Sequence, residues 1–262
     1  MIYKRAIAKL RAQDWFAIVV ELAIVIVGVF IGTWVANRNQ EAVQRADTIR
    51  LLNQFKPEIQ WQQRQFNGIK TYMAITGSYA RVAQAGWRGD PAVSDSAFVI
   101  AAYQASQITG SAVNTQSWSS MFGAGQVQNI ADPALRNQLI RVLSLDSSTT
   151  DWRQLESDYR KDVRHVIPGV IQDAIRSRCG DRYLESDGTT PFLPAQCDLT
   201  LPSAAAASVA AALRAHPELA QELDWHRALT ASMLSQYGGY VQNLRMLEQT
   251  IDDATDGKAK RR

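Results

Sequence analysis

The chain has 262 residues and a net charge of only +3. This length is enough for one domain with a sizeable core, or for an extended helical stalk that carries a smaller head. A face that holds nucleic acid shows as a large, clustered basic excess, and the only such cluster is the short tail KAKRR at residues 258–262. The composition therefore excludes a nucleic-acid-binding protein and leaves other classes open.

Residues 15–36, WFAIVVELAIVIVGVFIGTWVA, form the longest apolar run of the chain. About 20 apolar residues suffice to cross the roughly 30 Å hydrocarbon core of a bilayer, and this run contains one charged residue, Glu21. Trp15 and Trp34 lie near its ends, where indole rings favour the headgroup level. The run is longer than the apolar part of a signal peptide, and the A-x-A cleavage pattern is missing. We therefore predict a single uncleaved transmembrane helix in contact with the lipid bilayer.

The orientation of this span does not follow from charge, because Lys and Arg residues flank it on both sides. A second signal comes from the two cysteines, Cys179 and Cys197, which bracket a polar segment rich in Gly, Pro, Asp and Thr. Such a pair suits a disulfide in an oxidising compartment; the alternative is two unrelated reduced thiols. The disulfide favours a cytoplasmic N-terminus and a periplasmic body.

One face of the predicted span combines small residues with the only charge. Gly28 and Gly32 form a GxxxG pair, a spacing that lets a second helix approach closely. Glu21 lies seven residues before Gly28 and therefore falls on the same helical face. In one interpretation this carboxyl group contacts a partner or carries protons. In the other it reaches up to the interface or is protonated. The face predicts a homodimer or a membrane-protein partner.

After the span, apolar positions with a period close to 3.5 predict a long amphipathic helix that leaves the membrane without a turn. These positions are Ala42, Ala46, Ile49, Leu52, Phe55, Ile59, Phe66, Ile69 and Met73. Pro57 is expected to kink or restart this helix. A turn at residues 86–91 separates it from a shorter helix within residues 94–106.

The remaining helices are predicted from caps and apolar spacing. Asp132 is the expected cap of a helix with Pro133 in its first position. Residues 151–178 give another helical pattern with a kink at Pro168. An alanine-rich helix follows the cysteine loop, and a last helix over residues 219–251 is long enough to run back beside the first. We therefore predict an all-α fold in which one N-terminal transmembrane helix continues into an antiparallel helical bundle.

This organisation divides the chain into four segments. They are a cytoplasmic, basic, amphipathic lead-in at 1–14, the transmembrane helix at 15–36, a periplasmic helical domain at 37–253 with a loop at 179–197, and a basic tail at 254–262. If the last helix returns beside the first, its end is expected to approach the membrane surface, where the basic tail could meet anionic headgroups.

No catalytic or metal-binding motif stands out. The three histidines, His165, His216 and His226, have no second ligand at a metal-binding spacing such as HxxxH or HExxH. His226 falls on an apolar stripe, which favours a core or boundary position. Carboxylates alternate with basic residues from Arg153 to Asp162, as on a solvated helix face. We therefore predict no enzyme, no cofactor and no metal, while an active site built from distant residues stays open.

Four motifs stand in the anchor and in the middle of the chain: RAQDW at 11–15, IVIVGVFIG at 24–32, N-x-N-x-E-A at 37–42 and GAGQVQNIADPALRNQL at 123–139. With these motifs the chain resembles a family of bacterial single-span inner-membrane proteins with a periplasmic helical domain. The resemblance implies a cytoplasmic N-terminus and a periplasmic body. It implies no reaction, because that family has no assigned activity.

Two hypotheses from different classes remain, with a third behind them. The first is a membrane-tethered periplasmic interaction or sensory module whose anchor self-associates through Gly28 and Gly32. The second is a small energy-coupling subunit, similar in layout to single-span stator proteins, in which Glu21 carries protons beside a multi-span partner. The third is a periplasmic enzyme whose site is not visible in the sequence.

Overall fold

The computed structural model describes residues 15–110, 127, 130, 132–143 and 157–255. Within these residues the chain forms seven helices and one two-stranded hairpin, which confirms the predicted all-α fold. In chain order they are α1 Trp15–Trp87, α2 Asp95–Ala105, α3 Pro133–Leu143, α4 Asp158–Val166, α5 Gly169–Cys179, β1 Arg182–Tyr183, β2 Pro191–Phe192, α6 Ser203–Arg214 and α7 Glu218–Thr255. The lead-in at 1–14 and the basic cluster at 258–262 lie outside the described residues.

The first helix, α1, has 73 residues and joins the apolar run to the bundle. It is not interrupted at Pro57, so the predicted restart there is wrong. Proline removes one backbone hydrogen bond, and the carbonyl group it leaves free belongs to Asn53. Both residues are exposed, so water can satisfy that carbonyl. Phe55 and Ile59 meanwhile hold the opposite face of the helix in the core.

Helices α2, α3 and α4 each begin where a side chain caps free backbone N–H groups. The Ser94 hydroxyl accepts a hydrogen bond from the N–H of Ala97 at 3.2 Å and starts α2. Asp132 accepts from the N–H of Ala134 at 2.8 Å and caps α3, as predicted. Pro168 separates α4 from α5, because the residue before a proline is driven towards extended backbone.

The last helix, α7, runs antiparallel to α1, as predicted. Lys56 forms an ion pair with Asp252 at 2.5 Å near one end of the contact, and Gln84 donates a hydrogen bond to Asp224 near the other. Because α7 ends shortly after Asp252, the contact stops about 25 Å along α1 from the end of the apolar run. The end of α7 therefore stops short of the apolar run of α1, although its length led us to expect that it would approach that run.

The bundle formed by the described residues from Leu52 onward, hereafter the head, is built around α2. All residues of this helix from Phe98 to Ala105 are buried, so other elements enclose it on every side. Helices α1, α4 and α6 pack against it. Gly86 permits the close approach of α1, because a Cβ atom at this position would overlap the Phe98 ring.

Between the apolar run and the head, residues 37–47 of α1 are exposed; we name this section the stalk. The predicted apolar positions Ala42 and Ala46 lie in the stalk and are exposed, and Ile49 is only half-buried. Every predicted position from Leu52 onward is buried. Apolar spacing thus predicts the correct face of α1, but the length of α7 decides where the core begins.

Cys179 and Cys197 form the predicted disulfide, with 5.4 Å between their Cα atoms. The bond closes a loop that contains the antiparallel pair β1 and β2, in which Tyr183 lies opposite Pro191. This hairpin is too short for the sequence to show alternating apolar and polar residues, which explains why no strand is predicted there.

The turn of this hairpin is held by Asp187. Its carboxylate accepts hydrogen bonds from the Thr190 hydroxyl and from the backbone N–H groups of Thr190 and Thr189, which lowers the pKa of Asp187 to about 2. The loop then packs on α1 at Gly68, where a Cβ atom would overlap the Thr190 side chain. A glycine on α1 therefore seats the disulfide loop against the head.

Candidate functional site

The apolar section of α1 is the one helix among the described residues that is long and apolar enough to cross a membrane. None of its most apolar window is buried within the structure. Large apolar side chains from Ile18 to Val35 stay exposed. A continuous exposed surface of this kind is unfavourable in water and is typical of an interface with lipid or with another protein.

Glu21, Gly28 and Gly32 lie on one face of this section, because separations of seven and eleven residues return to within about 20° of the same direction. All three residues are exposed. A Cβ atom at either glycine would meet nothing within 4 Å. The two glycines therefore serve no packing role within the described part of one chain, and their face is free to contact a neighbouring helix.

His226 lies in the core of the head, as its place on an apolar stripe predicts, and only 2% of it is exposed. Its Nδ1 lies 2.9 Å from the Ser157 hydroxyl oxygen. Burial and, to a lesser extent, the Arg160 guanidinium lower the pKa of His226 to about 4, so the ring is neutral at physiological pH. Glu222, one turn earlier on α7, has its pKa raised by burial and by neighbouring carboxylates.

The pairing of Ser157 with His226 resembles a nucleophile and its base, but the other hydrogen bond of Ser157 argues for a structural role. Its hydroxyl also caps α4 by accepting a hydrogen bond from the N–H of Arg160 at 3.4 Å. The hydroxyl is therefore held between the start of α4 and His226 of α7. Within the described ranges, no three or more His, Cys, Asp or Glu residues are grouped so that they could hold a metal ion.

A second polar cluster joins α4 to the C-terminal end of α2. Arg160 donates to the backbone carbonyl of Ser106 at 2.5 Å. Arg164 donates to the Ser106 hydroxyl at 3.1 Å and to the side-chain oxygen of Gln107 at 2.9 Å. Positive charge at this end of α2 complements its helix dipole. The prediction of a solvated face is therefore wrong for Arg160, because its side chain turns inward to α2.

The same cluster contains two buried tyrosines. Arg164 lies over the ring of Tyr103, 4.9 Å from its centroid. Tyr72 and Tyr103 are 1% and 0% exposed, and neither hydroxyl has a hydrogen-bond partner among the described residues. Burial, followed by the negative charge of Asp181, raises the pKa of Tyr72, so its hydroxyl keeps the proton. The cluster thus combines cationic groups with unused hydroxyl donors.

Other buried tyrosines of the head are satisfied. Tyr159 donates to the carbonyl of Ala102 at 2.7 Å, and Tyr79 donates to the carbonyl of Pro194 at 2.9 Å. An unpartnered buried hydroxyl costs about 1–3 kcal/mol, so hydroxyls of this kind are uncommon in folded proteins. The cluster was missed at the level of sequence because its members come from three helices far apart in the chain.

No family model, curated protein or solved structure matches this chain.

Proposed function

We propose that this protein is a membrane-tethered interaction or sensory module without catalytic activity. The observation that supports the proposal is the continuity of α1, which carries the exposed apolar run at one end and core residues of the head at the other. An uninterrupted helix transmits rotation and displacement along its axis. A partner that moves the membrane section would therefore also move the head, and a ligand of the head would act on the membrane section.

The stalk gives this module a defined reach. The core of the head begins at Leu52, about 25 Å along α1 from the end of the apolar run. At this distance the head lies clear of the lipid headgroups. It is then accessible to proteins and small molecules of the aqueous compartment, as an interaction or sensory domain requires.

We place the head in the periplasm and the apolar run in the bacterial inner membrane, as a single span with the N-terminus in the cytoplasm. The disulfide between Cys179 and Cys197 supports this orientation, because such bonds persist in oxidising compartments and are rare in the cytoplasm. The resemblance to single-span inner-membrane proteins supports the same orientation. Basic residues on both sides of the span add little to the argument.

A second candidate is an energy-coupling subunit that uses Glu21 as an intramembrane proton site. The observation that favours it is the position of this carboxyl group, which is the only charge of the apolar run and is exposed on the face of Gly28 and Gly32. Ionisable groups at membrane depth are costly and usually have a function. Contact with a partner through the glycine face is compatible with both candidates.

A cross-linking pull-down from native membranes separates the two candidates. The tagged full-length chain is compared with Glu21→Gln and, as a matched control, with Glu41→Gln, which removes an exposed carboxylate of the stalk. The interaction module predicts that all three chains recover the same periplasmic proteins or a second copy of the chain. Recovery of a multi-span protein that only Glu21→Gln loses, at equal abundance of the three chains, would support the energy-coupling subunit instead.

A further inference from the structure

Two hydroxyl donors without acceptors are the unusual feature of the head. Tyr72 of α1 and Tyr103 of α2 are almost completely buried, and both retain an undonated O–H group within the described part of the chain. The Arg176 guanidinium comes near the Tyr103 hydroxyl without reaching hydrogen-bond geometry. Since arginine can only donate, even a closer contact would leave the Tyr103 proton without an acceptor.

The neighbouring arginines also have spare donors. A guanidinium carries five N–H groups. Within the described ranges, Arg164 uses two of its groups, on Ser106 and Gln107, and Arg160 uses one, on Ser106. Neither arginine forms an ion pair with a carboxylate among the described residues. Burial and the adjacent Arg160 charge lower the pKa of Arg164.

The other charged groups of the cluster leave it positive. Arg176 forms an ion pair with Asp173 on the same helix. Asp181 acts on Tyr72 from the start of the disulfide loop and is itself exposed. Three arginines therefore face two carboxylates, so the cluster carries a net positive charge.

We propose that Tyr72, Tyr103 and Arg164 bind a small oxyanion through a carboxylate or phosphate group, with Arg160 as a further donor. An anionic oxygen can accept hydrogen bonds from both hydroxyls and from the planar guanidinium at the same time. A cation would meet donors and like charge at this place. The inference rests on the proposed function, because it gives the sensory module the chemical class of its ligand.

The ligand is a soluble anion and not a lipid headgroup. Tyr72 lies about 54 Å along α1 from the end of the apolar run, farther than any headgroup extends from the bilayer. Capping of α2 explains why the arginines contact Ser106, but it does not explain two buried hydroxyls that donate to no acceptor among the described residues. A buried water could also satisfy them, and the experiment distinguishes water from an anion.

The test is isothermal titration of the purified full-length chain in detergent with sodium phosphate and, separately, sodium succinate, at constant ionic strength. Thermal unfolding is recorded in the same buffers. The variants are Tyr72→Phe, Tyr103→Phe and Arg164→Gln. The matched control is Arg178→Gln, which removes one positive charge from the exposed side of α5, where Arg178 lies 3.8 Å from Asp198.

The proposal expects one of the two anions to bind and to raise the unfolding temperature. Each of the three variants should weaken this binding about tenfold or more, while Arg178→Gln leaves it unchanged. Preference for phosphate or succinate identifies the anionic group. The proposal is overturned if neither anion binds, or if the Tyr→Phe variants bind as tightly as the original chain, which would indicate water. If the pull-down recovers partners but neither anion binds, the anion site is wrong and the proposed interaction module is unaffected. If an anion binds but no partner is recovered, the chain is an anion sensor and the proposed interaction is wrong.

Discussion

The side-chain amide of Gln104 donates a hydrogen bond to the backbone carbonyl of Cys179 at 2.5 Å, which connects the central helix of the head to the disulfide. Both residues are buried. Gln104 also accepts from Gln107 at 3.5 Å, and Gln107 in turn accepts from Arg164. The disulfide is therefore part of the buried polar network around Arg164, and not only a clamp on a surface loop.

Loss of the disulfide should destabilise the head. Replacing both Cys179 and Cys197 by Ser frees the loop and is expected to lower the free energy of unfolding by about 2–4 kcal/mol. Denaturant unfolding followed by circular dichroism measures this change. Reduction of the original chain should give the same midpoint as the double variant, and a midpoint insensitive to reduction would contradict a stabilising bond.

Close packing of α1 on α2 predicts opposite effects at two glycines. Gly86→Ala places a methyl group into the Phe98 ring and should lower the free energy of unfolding by about 1–3 kcal/mol. Gly77 lies in the same helix, and a Cβ atom there would meet nothing within 4 Å. Gly77→Ala should therefore raise the free energy of unfolding by up to about 1 kcal/mol. If both variants change the free energy of unfolding equally and in the same direction, the predicted overlap with Phe98 does not occur.

The buried His226 predicts a loss of stability in acid. Its pKa is lowered to about 4 in the folded chain and is about 6.5 when unfolded, so the unfolded chain takes up the proton first as the pH falls. Stability should decrease between about pH 6.5 and pH 4, by up to roughly 3 kcal/mol, and His226 adds nothing further below that range.

Comparison with His226→Gln isolates this effect. The raised pKa of Glu222 acts in the opposite direction, because protonation of that carboxyl group favours the folded state, but it is present in both chains. The difference in unfolding free energy between the two chains should therefore shrink as the pH falls from neutral. A difference that does not depend on pH would rule out a neutral buried His226.

Self-association of the anchor should depend on the glycine face. Gly28→Ile together with Gly32→Ile fills the surface that permits close approach of a second helix and should weaken association in a membrane. Val19→Ile with Ala23→Ile adds apolar volume to the opposite face of the same section of α1 and serves as the control. Energy transfer between fluorophore-labelled full-length chains in liposomes reports the association; no difference between the two pairs of variants would exclude Gly28 and Gly32 as the contact.

Local signals allowed much of the fold to be predicted. Ser94 and Asp132 mark the starts of their helices because capping depends on the few residues that follow the cap. The apolar run at the N-terminus is recognised by length alone. Pro57 shows the limit of such rules, since a proline on the exposed face of a well-packed helix does not end it.

The candidate anion site could not be predicted in the same way. Tyr72, Tyr103 and Arg164 each occupy an ordinary helical position, and sequence spacing shows which face of a helix is buried without showing what it meets. A buried hydroxyl without a partner is a property of the assembled head. Only the packing of α1, α2 and α4 brings Arg164 over the Tyr103 ring and brings Tyr72 within electrostatic reach of both.

The central claim, that one unbroken helix joins the membrane section to the head, is tested most directly by an electron spin resonance distance. Spin labels are attached at Val43→Cys in the stalk and Ser78→Cys on the exposed face of α1, in the full-length chain in liposomes, while Cys179 and Cys197 remain in their disulfide. A continuous helix predicts one narrow distribution of the distance between the two labels, centred at about 50 Å. A broad distribution, or a markedly shorter distance, would show that α1 breaks between stalk and head and would contradict the proposed coupling.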